Sequence, residues 1–221
     1  MIDAGSRPLV NLAATAVGTT RLGPGRRSAA WVQGCPFRCR GCVAPEWIPR
    51  RPARHLSPEA LAGELLADPD VMGFTFSGGE PMIQAAALAE TMTIARRTRD
   101  LSLICFTGYT LERLRSRPPS PGVGALLAQV DVLIDGRYVD SRDRGVGLRG
   151  SDNQRVHHLT GRLEHVGYDF EHGPRGADVL LSGTTVQVVG IPPAGLLPAL
   201  GLLTGRPGRH VSTISSDEGP Q

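Results

Sequence analysis

The chain has 221 residues, with 24 basic and 21 acidic side chains and a formal net charge of +3. Every one of those basic residues is arginine, which excludes P-loop ATPases, pyridoxal-phosphate enzymes and Schiff-base aldolases, since each needs a lysine amine. At 40% hydrophobic it can bury the core of one large domain, so its four cysteines are not needed as disulfide staples.

Taken in chain order, the sequence predicts a short strand at 29–33 that runs into a cysteine-bearing loop. Ser57-Pro58-Glu59 then opens a helix continuing to about 67, with a cap residue and proline at its first position. A strand at 73–77 is followed by a long Ala-rich helix over 82–99. Next come a strand at 101–107, a helix at 111–115, a helix at 124–129 and a strand at 130–135. This βαβα rhythm points to an α/β fold, a parallel sheet covered by helices. Beyond Arg155 the rhythm gives way to a few strands, at 179–181 and 185–189 around a Ser-Gly-Thr turn, and the tail from Arg206 is polar and expected to be disordered.

Charge is uneven. Residues 1–60 carry nine arginines against Asp3, Glu46 and Glu59, a net of +6, which leaves −3 for the remainder. Such a segment reads either as solvated surface or as a surface for an anion or a docking partner. Aromatic residues make up only 5% and do not interleave with the arginines, so no nucleic-acid partner is expected. The amino terminus lacks the apolar run of a signal peptide, and the most apolar stretch, 190–205, is interrupted by Pro192, Pro193 and Pro198. The expectation is a cytoplasmic protein with no membrane association.

Two motifs carry chemistry. Gly34-Cys35-Pro36-Phe37-Arg38-Cys39-Arg40-Gly41-Cys42 places three thiols in eight residues, in the spacing C-x3-C-x2-C. Clustered soft thiolates on such a loop suit one iron–sulfur cluster or one zinc ion. Zinc would want a fourth ligand, Cys105 or a histidine such as His55, but Cys105 sits in an apolar strand where a free cysteine is most often a small buried hydrophobe. Three ligands on a cubane leave one iron open for chemistry. The second motif, Ser77-Gly78-Gly79-Glu80-Pro81, falls where a strand ends and a helix begins, the ligand-binding edge of parallel α/β folds.

Together these motifs resemble the radical S-adenosylmethionine (AdoMet, SAM) enzymes. The resemblance implies a partial (β/α)6-type radical-SAM barrel over residues 1–157, followed by a small C-terminal β extension over 158–205 and the tail 206–221. It implies that Cys35, Cys39 and Cys42 hold a [4Fe–4S] cluster through which catalysis runs. It further implies that Gly78, Gly79, Glu80 and Pro81 contact AdoMet, whose reductive cleavage gives a 5′-deoxyadenosyl radical. Thr107 and Asp135 end strands at the same edge and are candidates for the AdoMet or substrate mouth. For Asp135 a turn cap is the alternative.

Gly41 before the third cysteine and Ala44-Pro45-Glu46-Trp47 after it look like the activating proteins of anaerobic ribonucleotide reductase. So do Leu22-Gly23-Pro24-Gly25-Arg26-Arg27, Phe106-Thr107-Gly108-Tyr109-Thr110, the stretch from Val130 to Gly136 and the stretch from Leu148 to Arg155. That likeness implies a glycyl-radical enzyme as partner, anaerobic ribonucleoside-triphosphate reductase, and an electron donor such as flavodoxin or ferredoxin. Val43 and Ala44 depart from the group, which often has His or Tyr followed by Asn there. This departure and the long extension favour the competing reading, a stand-alone radical-SAM enzyme acting on a peptide or small molecule. Arg149, Asn153 and Arg155 could bind a carboxylate or phosphate, or merely tie down their own loop. His157 and His158 point to opposite faces of a strand and do not suit one metal ion.

Overall fold

The computed structural model describes residues 8–182 and 185–192. The expected tail at 206–221, the end of the extension and part of the Ser-Gly-Thr turn lie outside the described residues. Nine strands and four α-helices run in the order β1 (Val10–Thr19), β2 (Arg27–Val32), β3 (Arg54–Leu56), α1 (Pro58–Leu65), β4 (Gly73–Gly78), α2 (Ala85–Thr98), β5 (Ser102–Thr107), α3 (Leu111–Ser116), α4 (Val123–Leu127), β6 (Val132–Asp135), β7 (Arg155–His158), β8 (Ala177–Ser182) and β9 (Thr185–Gly190). Seven strands form one sheet in the order β3-β1-β2-β4-β5-β6-β7, and β8 and β9 form a separate hairpin.

Only the centre of that sheet is parallel. β2, β4, β5 and β6 run together, whereas β1 is antiparallel to both β2 and β3, and β7 is antiparallel to β6. The expected all-parallel sheet is therefore corrected to a mixed one. It is open, too: no closed barrel is formed among the described residues. The physical reason is connection length. Parallel neighbours need a crossover of a dozen or more residues, and the connection from β1 to β2 is too short for one. β1 itself, VNLAATAVGT, carries too many small residues for clear alternation, and β3 is short and mostly exposed, so neither was expected.

Helix starts follow their sequence signals. Ser57 Oγ accepts from the Ala60 N–H at 3.2 Å with Pro58 in the first turn, and Thr110 Oγ1 accepts from the Arg113 N–H at 3.3 Å. The long helix begins at Ala85 rather than 82, because Pro81–Gln84 is a 3-10 turn capped by Glu80.

The four parallel strands are buried on both faces, and their side chains sort by alternation. Ala30, Val32, Phe74, Phe76, Leu103, Cys105 and Leu133 face a core shared with α1–α4. Ala29, Trp31, Ile104, Val132 and Ile134 face the other way, and no helix among α1–α4 contributes to that core. Leu148, Leu163, Phe170 and Val189 cover it instead. Residues beyond 157 thus supply part of the second layer of the fold, together with Leu22, Trp47 and Leu148. The 157/158 boundary expected between core and extension falls inside β7. Among the described residues no helix is long and apolar enough to cross a membrane.

At the start of β2, Arg27 is fully buried beneath this second face. Its Nε donates to Thr75 Oγ1 at 2.9 Å and Nη1 to Ser102 Oγ at 2.8 Å, while Nη1 and Nη2 also reach the carbonyls of Pro24, Phe74 and Ser102. Its acceptors are therefore neutral ones on the two strands β4 and β5 and on a turn. Burial lowers its pKa to about 10, still charged at neutral pH. Arg27→Ala strands several buried acceptors, and we expect a loss of about 3–5 kcal/mol in urea unfolding.

Candidate functional site

The parallel strands β2, β4 and β5 end at one edge, and the cysteine loop leaves β2 there. Two backbone hydrogen bonds join the loop's base to the second motif: Gly79 N–H donates to the Val32 carbonyl at 2.7 Å, and Glu80 N–H to the Gly34 carbonyl at 2.9 Å. The far side of the loop is held by Gly34 N–H to Trp47 O at 2.9 Å and Cys35 N–H to Ile48 O at 3.0 Å. The glycines are what allow this approach. Gly78 has φ +100°, and a Cβ there would lie 2.5 Å from the Val32 nitrogen, while one on Gly79 would overlap the Gly34 carbonyl.

Between the loop and the strand ends lies a cavity of about 420 Å³, within the range of sites for small molecules and cofactors. Cys35, Cys39 and Cys42 all line it and are half-buried free thiols. Gly78, Gly79, Glu80, Pro81 and Thr107 line it as well, so the structure brings both motifs to one space. Trp31 and Trp47, the chain's two tryptophans, give it an apolar wall; their ring centroids are 5.9 Å apart.

The donor set can be tested for fit. Among the described residues no three His, Cys, Asp or Glu side chains converge as a single metal ion requires. Zinc would draw thiolates to about 3.8 Å of one another, given Zn–S bonds of about 2.3 Å in a tetrahedron. Three half-buried thiols lining one cavity can supply the three thiolates of a cubane, one per iron. Burial pushes the Cys35 thiol up to about 11 and also raises Cys42, with neighbouring Glu80 and the other thiols adding to the effect on Cys35. Loading therefore has to displace protons. Cys105 is fully buried among the helix-side core residues of β5, a packing residue as expected, and takes no part in the site.

Glu80 is 1% exposed and its carboxylate is occupied by the protein. Oε1 accepts from the Met82 N–H at 2.9 Å and from Thr107 Oγ1 at 2.8 Å, and Oε2 from the Gly108 N–H at 2.8 Å. It caps the 3-10 turn and ties the end of β4 to the end of β5, with Thr107 as its partner. Burial outweighs these bonds and raises its pKa to about 7.

Asp135 departs from the expected place at the mouth and does not line the cavity. Its carboxylate accepts from the Leu111 N–H at 2.6 Å and pairs with Arg155 at 2.8 Å, and His157 Nε2 lies 3.0 Å away. A strand end can direct its side chain to either face, and here the anchoring role prevails. The polar segment ties its own loop down in the same manner. Arg149 reaches Glu171 and the Gln154 carbonyl, Asn153 donates to Arg137 O, and Arg155 pairs with Glu112. His158 turns its edge to Phe170, away from His157's partner.

Sequence reasoning missed several lining residues. Phe37 packs edge-on against Tyr109 at 4.7 Å, beneath the Arg137 guanidinium at 4.6 Å, and so clamps the loop onto the end of β5. A Cβ on Gly41 would overlap the Asp140 carboxylate, so the small residue before the third cysteine makes room for Asp140. Arg175, Gly190, Ile191 and Pro192, all from beyond 157, complete the wall. No signal in the sequence pointed to them.

One consequence is a pH dependence. Between pH 4.5 and 7 the folded chain keeps a proton on Glu80 that the unfolded chain has lost, so stability falls as pH rises through that window. The fall should be on the order of 3 kcal/mol in the metal-free chain. Thermal melts from pH 4.5 to 7.5 should show it in the wild type and not in Glu80→Gln.

Residues 22–157, which contain both motifs, match the family described as 4Fe-4S single cluster domain. The chain is 32% identical over 149 residues to the anaerobic ribonucleoside-triphosphate reductase-activating protein of Vibrio cholerae, spanning 62% of this chain and 91% of that one. It is 28% identical over 148 residues to the protein of that name from Escherichia coli K12, with the same coverage, and 30% identical over 142 residues to that of Enterobacteria phage T4, spanning 61% and 85%. With three thiols on one cavity and a matched region enclosing the whole cysteine and glycine apparatus, the chain belongs to the 4Fe-4S single cluster domain family, among radical-SAM enzymes of the activating type.

Proposed function

We propose that the chain is an activase that generates a glycyl radical on a partner enzyme, an anaerobic ribonucleoside-triphosphate reductase. The observation that carries this reading is the pair of backbone hydrogen bonds fastening the Gly-Gly-Glu segment to the cysteine loop around one cavity. Cys35, Cys39 and Cys42 would hold the [4Fe–4S] cluster, and the 78–81 segment would lie against AdoMet. When bound, cluster and AdoMet supply one-electron reductive cleavage to methionine and a 5′-deoxyadenosyl radical, which abstracts a hydrogen atom.

The chain's own residues orient and exclude. Glu80 fixes the spacing between the loop base and the end of β5, while Trp31 and Trp47 present apolar surface and keep water from the reaction space. Phe37 holds the cysteine loop against Gly108. Arg38, Arg40, Arg50 and Arg51 lie exposed on and beside the loop, whereas Arg21, Arg26, Arg96 and Arg155, among others, are paired with carboxylates elsewhere. This positive rim suits an acidic electron donor such as flavodoxin or ferredoxin. The competing reading, a stand-alone enzyme acting on a peptide or small molecule, draws support from the wall that Arg175 and Ile191 add to the cavity.

Anaerobic reconstitution should load about four irons per chain, and reductant plus AdoMet should then yield 5′-deoxyadenosine. Cys39→Ala should abolish that cleavage. Cys105→Ala should retain the irons and lose about 1–3 kcal/mol of stability in urea unfolding. Incubation with the reductase should produce a glycyl radical visible by electron paramagnetic resonance. Brisk AdoMet cleavage with no radical on the partner would select the stand-alone reading.

A further inference from the structure

The matched family region ends at 157, yet the cavity is not complete without Arg175, Gly190, Ile191 and Pro192. Three features show that this later segment is fixed in place. Its hairpin is fastened to β1 and the turn after it: Gln187 Nε2 donates to Thr15 O at 3.0 Å, Thr19 Oγ1 to Asp178 Oδ2 at 3.0 Å, and Arg21 Nε to Asp178 Oδ1 at 2.8 Å. Val189 is fully buried in the same apolar cluster as Trp31 and Trp47, and Ile191 packs half-buried against that cluster while lining the cavity. Arg175, whose side chain is 7% exposed, pairs with Asp143 at 2.8 Å and donates through Nη2 to the carbonyls of Arg149 at 2.8 Å and Gly150 at 3.0 Å.

That latch continues towards the cysteine loop. The Tyr138 hydroxyl lies between two carboxylates, 3.2 Å from Asp140 and 3.4 Å from Asp143, with one proton to share between them, and Asp140 occupies the space left by Gly41. A polar chain thus runs from Arg175 to the residue next to Cys42, and a half-buried apolar side chain at the same wall faces a ligand-sized space.

We propose that the segment beyond the family region is the specificity wall of this site: Ile191 sets the size of the ligand space beside the tryptophans, and Arg175 is a positioning residue that holds the wall to the 143–150 loop. The ligand class follows from the lining, a molecule of nucleoside size with an apolar face for Ile191 and the indoles, which AdoMet satisfies. The assignment rests on the reading that AdoMet occupies the cavity. Removing Ile191's branches should weaken a ligand that touches them, and enlarging the side chain into the cavity should exclude it. Neither change removes a group buried in the sheet.

The test uses the reconstituted full chain and AdoMet without reductant, with binding read from the fluorescence of Trp31 and Trp47. Four variants are compared with wild type: Ile191→Ala, Ile191→Phe, Arg175→Met and Arg175→Lys. Val179→Ala, on an exposed site of the same hairpin, is the control. Ile191→Ala should weaken AdoMet about 10-fold and make the tryptophans more accessible to acrylamide. Ile191→Phe should abolish binding with an unchanged melting temperature. In a parallel assay with reductant added, so that AdoMet cleavage can be followed, Arg175→Met should raise the KM for AdoMet with kcat unchanged, and Arg175→Lys, which can keep the Asp143 pair, should restore part of it. Wild-type binding with both Ile191 variants indistinguishable from it overturns the wall alone. A wild-type chain that loads iron and binds no AdoMet overturns the functional reading, and this assignment with it.

Discussion

One buried carboxylate holds the working edge of the molecule together. Glu80 takes hydrogen bonds from the 3-10 turn that follows β4 and from both Thr107 and Gly108 at the end of β5. Its own backbone N–H reaches back to the base of the cysteine loop. Three segments distant in sequence thus meet through one residue. The cost is a charge taken out of water, which appears as the raised pKa, and three hydrogen bonds offset it in part. The glycines beside Glu80 serve the same end, because any side chain at Gly78 or Gly79 would drive the strand end away from the loop.

The second constraint is the burial of parallel strands on both faces. The helices cover one face of β2, β4, β5 and β6. The other face carries Trp31, Ile104, Val132 and Ile134, which Leu22, Trp47 and Leu148 cover only in part. Phe170, Leu163 and Val189 from the later segment cover it, and the space that remains between this cover and the strand ends is the cavity. The extension is therefore part of a layer of the fold and a wall of the site at once. Arg27 pins the same face lower down, where its guanidinium serves as a hub for neutral acceptors from several elements.

A chain without lysine has to meet its electrostatic needs with arginine, and the structure shows three uses of it. Buried at Arg27, the planar fork satisfies several carbonyls and hydroxyls at once. At Arg175 and Arg155 it latches loops to carboxylates. Around the cysteine loop, Arg38, Arg40, Arg50 and Arg51 stay exposed, and the excess positive charge of the first 60 residues is concentrated beside the thiols. The aggregate +3 conceals that distribution.

The sequence by itself determined the parts whose physics is local. Three thiols in eight residues announce a metal loop, Gly-Gly-Glu at a strand end announces a ligand edge, and the helix cap at Ser57 follows from its own hydroxyl. The central parallel strands were legible too, because fully buried strands read as apolar runs. Tertiary structure alone decided the rest. β1 and β3 have weak local signals and exist because β2 needs a neighbour, and the short link before β2 makes that neighbour antiparallel. Asp135 and Glu80 look alike as acids at strand ends, yet one ties a helix start away from the cavity and the other clamps its rim, since the face a side chain takes depends on its neighbours in the sheet. Ile191 and Arg175 carried no motif at all. Their place in the wall comes from a hairpin folding back across more than 150 residues of chain, a contact that no local pattern encodes.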